Sequence, residues 1–365
     1  MKRNIKLILI SLTPIILILN NILKQYPQFV EKNYANSLNR LTRQAQNFIV
    51  RPFPFSIAEI LYFSLIVVLL ISIVILCSKI KRGGVLIQLT NILTYLSLLY
   101  ALFMFLWGFN YNRLSFDKIS DLKLERSTES QLKSLCQELI DMANATRQKV
   151  NVSPKGIMIE KLGYKDVFKR ASKGYEKASL IFPELGGRYS KPKPIFLSEA
   201  MCYTGIMGMY MPYTGEANVN VRVEDFMLPC TAAHEMAHQR GFAREDEANY
   251  IAYVTCLLNP DVDFEYSGVM LALINSMNAL ANKDIEAYKT LQKQYSEGVK
   301  KDIDANNVFW DKYSGKIQKL SNQVNNSYLK SNGQSDGTES YGRMVDLLLA
   351  QYKKGISNYS HISVN

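Results

Sequence analysis

The sequence predicts a mainly α protein with a small β-sheet, an α+β fold that follows a three-helix membrane anchor. Three apolar stretches near the amino terminus are each long enough to cross a bilayer, which takes about 20 residues. Later segments repeat apolar residues at the helical period, and two short regions, 196–198 and 217–221, have strand-like patterns. We therefore divide the chain into an anchor, residues 1–108, and a domain, residues 109–365. The predicted domain helices cover residues 127–149, 263–300, as one or two helices, and 302–329, and a last apolar segment covers 344–352.

The anchor is predicted to cross the membrane three times, at about residues 7–23, 55–77 and 85–107. The first stretch follows positive charges and resembles a signal peptide, but no small-residue cleavage site follows it and two further spans do. We interpret it as an uncleaved span. Residues 24–51 are interpreted as a connecting loop with five thinly spread positive charges.

Clustered positive charges predict the orientation of the anchor. Residues 1–6 and 79–82 each hold three Lys or Arg, and such clusters stay in the cytoplasm. Three spans then place the domain outside, on the outer face of the cell membrane. Aromatic residues gather where the chain leaves the lipid, a typical interfacial belt: Phe105, Trp107, Phe109 and Tyr111.

The basic composition belongs to the anchor and not to the domain. The net charge is +11, yet residues 1–108 hold 11 Lys and Arg against two acids, while the remainder holds 32 against 30. We therefore expect membrane lipid, and no nucleic acid, as a partner. Five scattered cysteines without a CxxC pair give no disulfide framework, although one disulfide among the four outside the anchor stays open.

Residues 234–238, His-Glu-Met-Ala-His, contain two of the three histidines of the chain. On a helix, positions i and i+4 lie on one face, so His234 and His238 can bind one metal ion while Glu235 points beside it. Small residues precede this motif, and Gly241 can end its helix. We predict a Zn²⁺ site in which Glu235 is the general base that takes a proton from water. The competing interpretation is a chance HExxH sequence in an ordinary helix.

The third zinc ligand is predicted to come from the acid-rich segment that follows Gly241. Glu245 and Glu247 compete, and they point about 200° apart on a helix, so at most one of them faces the metal. Asn249 lies one turn after Glu245 and could hydrogen-bond its carboxylate, which favours Glu245 and leaves Glu247 open. Arg244 occupies the position where the metzincin pattern requires a third ligand, so that class is unlikely here by sequence.

Two further groups are predicted to contact the substrate. The strand before the motif helix suits an edge that pairs with an extended peptide through four residues: Ala217, Asn218, Val219 and Asn220. The alternative for this strand is a plain hairpin. Near the carboxy terminus, Tyr341 and Arg343 are candidates for stabilising a developing oxyanion, against the alternative that they are packing or surface residues.

With these residues in view, the chain resembles an uncharacterised bacterial family of membrane-anchored zinc metallopeptidases that have HExxH and three amino-terminal transmembrane helices. The resemblance covers most of the chain. It implies a zincin-like, gluzincin-type metallopeptidase domain, but no particular substrate. The blocks that carry it are Pro54–Ile60, Trp107–Arg113, Pro212–Asn220, His234–Asn249, Tyr328–Gln334 and Ser340–Val345.

These expectations lead to a functional hypothesis with one rival. The leading hypothesis is a zinc peptidase, or a related amide hydrolase, that acts on a peptide or protein at the outer face of the cytoplasmic membrane; cell-wall peptide is one candidate substrate. The rival is a non-enzymatic sensor or assembly factor with a structural zinc helix. Glu235 discriminates between them, because a structural site has no need of a free carboxylate beside the metal.

Overall fold

The computed structural model describes residues 3–355, without the side chains of Arg3 and Tyr341. Helices dominate this part of the chain and one small sheet accompanies them, as predicted. The helices are α1 Arg3–Leu23, α2 Pro27–Val30, α3 Asn39–Val50, α4 Ile57–Arg82, α5 Val85–Leu106, α6 Phe116–Ile119, α7 Glu129–Arg147, α8 Tyr164–Arg170, α9 Ser172–Ile181, α10 Ser198–Cys202, α11 Leu228–Gln239, α12 Glu245–Leu258, α13 Val262–Lys283, α14 Ile285–Gln292, α15 Glu297–Tyr313, α16 Lys316–Ser331 and α17 Met344–Lys353.

Three of these helices are long and apolar enough to cross a membrane, at Asn4–Leu23, Ile57–Arg82 and Val85–Leu106. The number and approximate positions of the spans are as predicted. The second extends five residues beyond the predicted end, because its basic last turn, Lys79–Arg82, continues the helix up to Gly83. The predicted orientation of these spans stays a prediction.

The segment between the first two spans is not a simple loop. It forms α2, a π-helical stretch at Glu31–Leu38, and α3. The buried Arg43 guanidinium of α3 donates to the carbonyls of Gln239 and Ala35 at 3.0 and 2.8 Å. Asn47 donates to the Gly215 carbonyl at 2.9 Å and accepts from Gln239 at 2.6 Å. The expectation of a thinly charged loop is wrong, because polar side chains of this segment bond to distant backbone groups.

The sheet has three short strands in the order β1, β3, β2. They are β1 Lys193–Pro194, β2 Gly208–Met211 and β3 Glu216–Val219. β1 pairs parallel with β3, and β2 pairs antiparallel with it. The strand predicted at residues 196–198 begins three residues earlier, at Lys193, because the backbone N–H groups of Phe196 and Leu197 bond to the Glu59 carboxylate at the start of α4.

The core of the domain is built on α11, α12 and α13, with α7, α9 and α17 packed around them. The helix predicted at 127–149 begins at Glu129, two residues after its predicted start, because Thr128 is the N-cap and forms a capping box with Gln131. The predicted helix at 302–329 is two helices, α15 and α16, which are separated at Gly315.

Two buried polar clusters hold the helical layers together. Asp302 is fully buried and accepts from Arg147 at 2.5 and 3.2 Å, from the Tyr266 hydroxyl at 2.7 Å and from the Met158 N–H at 2.8 Å. These bonds join α15 to α7, to α13 and to the chain after α7.

The second buried polar cluster surrounds Glu160. Burial, reinforced by the Asp263 carboxylate, raises the pKa of Glu160 to about 9 despite an Arg170 contact at 3.4 Å. The Arg170 guanidinium is already occupied by Asp263 and Asp166, each at 2.6 Å, so we expect Glu160 to be protonated at neutral pH.

Candidate metal centre

The helix that carries the histidine motif is α11, and nearly all of it is buried. Pro229 lies in its first turn, where the missing N–H costs nothing. The helix ends before Gly241, whose φ of +85° is a left-handed conformation that favours glycine. A Cβ atom at Gly241 would lie 2.8 Å from the Arg43 guanidinium, so the same glycine lets α3 approach the end of the motif helix.

The fold brings His234, His238 and Glu245 together. The Nε2 atoms of the two imidazoles lie 3.2 and 3.4 Å from one carboxylate oxygen of Glu245. One potential ligand atom from each of the three residues lies within 4.8 Å of the others, the only such group of three or more among the described residues. The loop at Gly241 turns the chain back, so α12 begins with Glu245 facing the histidines.

Two contacts fix the orientation of the His238 ring. Its Nδ1 lies 2.7 Å from the Phe242 carbonyl, so Nδ1 carries the proton and Nε2 faces Glu245. The Trp107 ring, the first residue after α5, meets the His238 ring edge-on with centroids 5.7 Å apart. With Nδ1 held in this way, loss of the Nε2 proton would present a lone pair on the Glu245 side, and the neutral imidazole is the form that binds metals.

Burial and the contacts between charged groups shift the pKa values of His238 and Glu245 in opposite directions. Burial lowers the pKa of His238, but the Glu245 carboxylate raises it to about 9. Burial raises the pKa of Glu245, but the two imidazoles hold it well below its usual range. The cluster therefore favours an anionic carboxylate beside positive charge.

Glu247 lies elsewhere. Its carboxylate accepts the Phe116 N–H at 3.0 Å and contacts Arg244 at 3.6 Å, away from the histidine pair. Burial raises the pKa of Glu247 to about 7. Asn249 is buried one turn after Glu245. Its hydrogen bond to the Glu245 carboxylate stays a prediction.

Glu235 is buried against the sheet. Only 4 % of the residue is exposed, and its Oε2 has no hydrogen-bond partner among the described residues. A Cβ atom at Gly208 of β2 would lie 2.5 Å from its Oε1, so a glycine is needed for this close approach. Burial raises the pKa of Glu235 to about 7, although His234 and His238 lower it. The carboxylate therefore lies in an apolar setting where both protonation states are accessible near neutral pH.

The strand predicted to hold substrate is not an edge strand. β3 is the central strand, and its residues Glu216–Val219 are all buried. Asn218 and Val219 pair with β1 and β2, Ala217 pairs with Tyr210 of β2, and the Asn220 N–H bonds to the Met207 carbonyl. The prediction that these four residues form an edge strand is therefore wrong, because β3 lies between β1 and β2. The local alternation of a strand does not reveal its place in the sheet.

The open edge close to Glu235 belongs to β2. Because Met207 bonds to Asn220 of the neighbouring chain segment, alternation along the antiparallel ladder turns the peptide groups of Gly208 and Tyr210 away from β3. The backbone of Tyr210 donates a hydrogen bond to the Glu235 carboxylate, in agreement with this direction. Sequence analysis did not assign β2, whose sequence signal is the short run Gly208–Met211 immediately before Pro212.

The structure describes the side chain of only one of the two predicted oxyanion-stabilising residues, Tyr341 and Arg343. The side chain of Tyr341 lies outside the described residues. Arg343 is partly exposed and lies 3.2 Å from Asp336 and 3.8 Å from Asp246. These contacts engage Arg343 with acids outside the His-His-Glu cluster, and its predicted oxyanion role stays a prediction.

Two other phenols, Tyr111 and Tyr328, lie near the cluster. Their hydroxyls are 3.2 Å apart, and the Tyr111 ring packs edge-on against Trp107. Burial raises the pKa of both phenols, and the Glu245 carboxylate adds to the rise. Sequence analysis assigned Tyr111 only to the interfacial belt, and it gave no role to Tyr328 because the two residues are 217 positions apart.

Residues 34–349 match a family described as “Protein of unknown function (DUF3810)”. The chain belongs to this family. No curated protein and no solved structure matches the chain. The DUF3810 segment begins after α1 and contains α3, two of the three apolar spans and the whole His-His-Glu cluster. The α3 helix and the cluster that it contacts therefore lie within one family unit.

Proposed function

We propose that this protein is a membrane-anchored, zinc-dependent peptidase with a zincin-like, gluzincin-type domain, which hydrolyses amide bonds of peptide or protein substrates at the outer face of the cytoplasmic membrane. The observation that carries the proposal is the approach of His234, His238 and Glu245 to one another, with the unpartnered Glu235 carboxylate oxygen buried beside them. A cell-wall peptide remains one candidate substrate.

The donor set fits zinc. Two imidazole nitrogens and one carboxylate are the ligands of a common catalytic zinc site, which keeps a fourth position for water or substrate. The side chains of His234 and Glu245 remain 13 % and 11 % exposed, so these two groups retain some contact with solvent. Zinc bound here would polarise the substrate carbonyl and acidify a water molecule.

The roles of the chain's own groups follow from their positions. Glu235 accepts a proton from the attacking water as the new carbon–oxygen bond forms, and it then returns the proton to the leaving nitrogen as the carbon–nitrogen bond breaks. The Gly208 N–H and the Gly208 and Tyr210 carbonyls, which point away from β3, pair with an extended substrate backbone. Tyr111 or Tyr328 donates a hydrogen bond to the developing oxyanion, a role that we also keep open for Arg343.

The contacts of α3 indicate that all extramembrane segments around the site lie on the same side of the membrane. Three spans place residues 24–56 and the domain on the same side of the membrane, and α3 bonds directly to the domain. The positive clusters near the amino terminus and at Lys79–Arg82 favour the cytoplasm for the opposite side. Together they support an extracytoplasmic site.

The rival function is a membrane sensor or assembly factor that retains zinc only as a structural element. Structural zinc sites usually close the fourth position with another Cys or His. Among the described residues, no such side chain joins the cluster. The free oxygen of Glu235 also favours the enzyme, because a structural site has no use for it.

The deciding experiment is a peptide-library digest with the full-length protein in detergent, with and without a chelator. Cleavage should require zinc. Glu235→Gln should retain zinc and folding but lose at least about a hundredfold in turnover, since general-base catalysis contributes about 10² to 10⁴. Glu247→Gln, a buried acid outside the cluster, is the matched control and should stay active. Full activity of Glu235→Gln would exclude the proposed base, and no cleavage by the zinc-loaded wild type would favour the rival.

A further inference from the structure

The α16 helix exposes its apolar stripe. Ile317, Leu320 and Val324 recur at helical spacing and are 59 %, 62 % and 63 % exposed. The side chains that turn toward the protein are mostly polar, among them Gln318 and Ser321. A surface helix of a water-soluble domain normally does the reverse and buries its apolar face. Water is therefore an unfavourable neighbour for this side of α16.

The α3 helix has the same inversion, and its surroundings are fixed by the spans. Asn39, Arg43 and Asn47 face the protein, while Leu41 and Phe48 on the other side are 68 % and 78 % exposed. The Asn39 amide donates to the carbonyl of the last residue of α5 at 2.8 Å, and the other end of α3 leads into α4 within seven residues. Since α3 joins the ends of two spans, its apolar face lies at the lipid surface.

The α16 helix reaches the same surface from the other end of the chain. The Tyr328 ring lies 6.3 Å from the Phe103 ring of α5, three residues before the end of that span. The hairpin turn between β2 and β3 reaches the same span, where the Tyr213 hydroxyl donates to the Leu99 carbonyl at 3.0 Å. The apolar stripe of α16 therefore begins beside a helix whose outer surface is apolar and lipid-facing.

The charge of α16 suits a bilayer. The helix contains Lys316, Lys319 and Lys330 and no acid, so its polar side is purely basic. Basic amphipathic helices lie in the interface, where their apolar face enters the boundary of the acyl chains and their lysines meet anionic headgroups. A water-soluble protein partner is not needed to explain the exposed stripe.

We propose that α16 lies in the membrane interface, in the same leaflet as the carboxyl end of α5. Ile317, Leu320 and Val324 then insert among the lipid chains. The occupant of this surface is the bilayer that the three spans cross. In addition to the three spans, which cross the bilayer, α3 and α16 would then contact the membrane surface. This placement depends on the anchor alone and not on peptidase activity.

The test uses nitroxide labels on the full-length protein in vesicles of phosphatidylcholine and phosphatidylglycerol, after Cys77→Ser removes the one exposed native cysteine. Leu320→Cys and Val324→Cys report the stripe, and Gln323→Cys, exposed on another side of α16, is the matched control. Phe48→Cys on α3 provides the interfacial reference. All four positions are exposed, so labelling should leave folding intact.

Oxygen, which concentrates in lipid, should relax the labels at 320, 324 and 48 more than a water-soluble nickel chelate does. The order should reverse at 323. Equal access of the chelate to 320, 324 and 323 would overturn the proposal, because the stripe would then face water. Shielding of 320 and 324 from both reagents would also overturn it, because protein, such as a second copy of the chain, would then cover the stripe.

Discussion

The choice between Glu245 and Glu247 as metal ligand can be tested by removing each carboxylate in turn. The Glu245 oxygen lies 3.2 and 3.4 Å from the two imidazole nitrogens, whereas Glu247 bonds to the Phe116 N–H. Structural four-ligand zinc sites bind with about 10 to 16 kcal/mol, so one ligand corresponds to about 3 kcal/mol. Glu245→Ala should therefore weaken zinc binding by at least about a hundredfold.

The assay is competition for zinc between the purified full-length variants and a chromogenic chelator, combined with metal analysis. Glu247→Ala is the matched control, since it removes a buried acid from the same helix turn, and it should keep wild-type affinity. Melting curves of both variants separate loss of a ligand from loss of fold. Retained zinc in Glu245→Ala with loss in Glu247→Ala would refute the assignment and the geometry on which it rests.

Three further outcomes follow from contacts in the fold. Gly208→Ala should lower turnover with zinc retained, because its Cβ would lie 2.5 Å from the Glu235 carboxylate. Gly315→Ala is the control and should have no effect, because its Cβ would have no atom within 4 Å. Equal turnover of the two variants would contradict the close approach of Gly208 to Glu235. Asp302→Ala should cost about 3 to 5 kcal/mol in urea unfolding, because it leaves a buried arginine unpaired, and a cost below about 1 kcal/mol would contradict this. The pKa of Glu160 is raised to about 9, so the folded state favours the protonated carboxyl and the free energy of unfolding should fall as pH rises from about 5 to 9. Glu160→Gln should flatten this fall, as measured by melting curves across the pH range. An unchanged pH profile would exclude Glu160 as its source.

The features that sequence analysis predicted best depend on short chain distances. The spans follow from apolar length, and the convergence of His234 and His238 follows from the four-residue spacing on a helix. The approach of Glu245 was also predicted, because helix periodicity lets only one of Glu245 and Glu247 face the metal and Asn249, one turn later, favoured Glu245. Each of these inferences needs fewer than about 25 residues of context.

The features that it missed depend on distant partners. Arg43 and Asn47 look like solvated residues in a polar segment, and only the Gln239 backbone and side chain, nearly 200 positions later, show why they are buried. The place of β3 at the centre of the sheet depends on its pairing with both β1 and β2, which alternation along one strand does not encode. Partners across such distances are set by tertiary packing and not by local pattern.

The contact between Trp107 and His238 sets the clearance between the candidate metal centre and the lipid. α5 has 22 residues, so at about 1.5 Å per residue it is about as long as the hydrocarbon core is thick, and Leu106 lies near the core boundary. Trp107 is the next residue, and its ring touches the imidazole of a candidate ligand. A polypeptide bound at this cluster would therefore lie close to the membrane surface, and its scissile bond would have to reach the level of the headgroups.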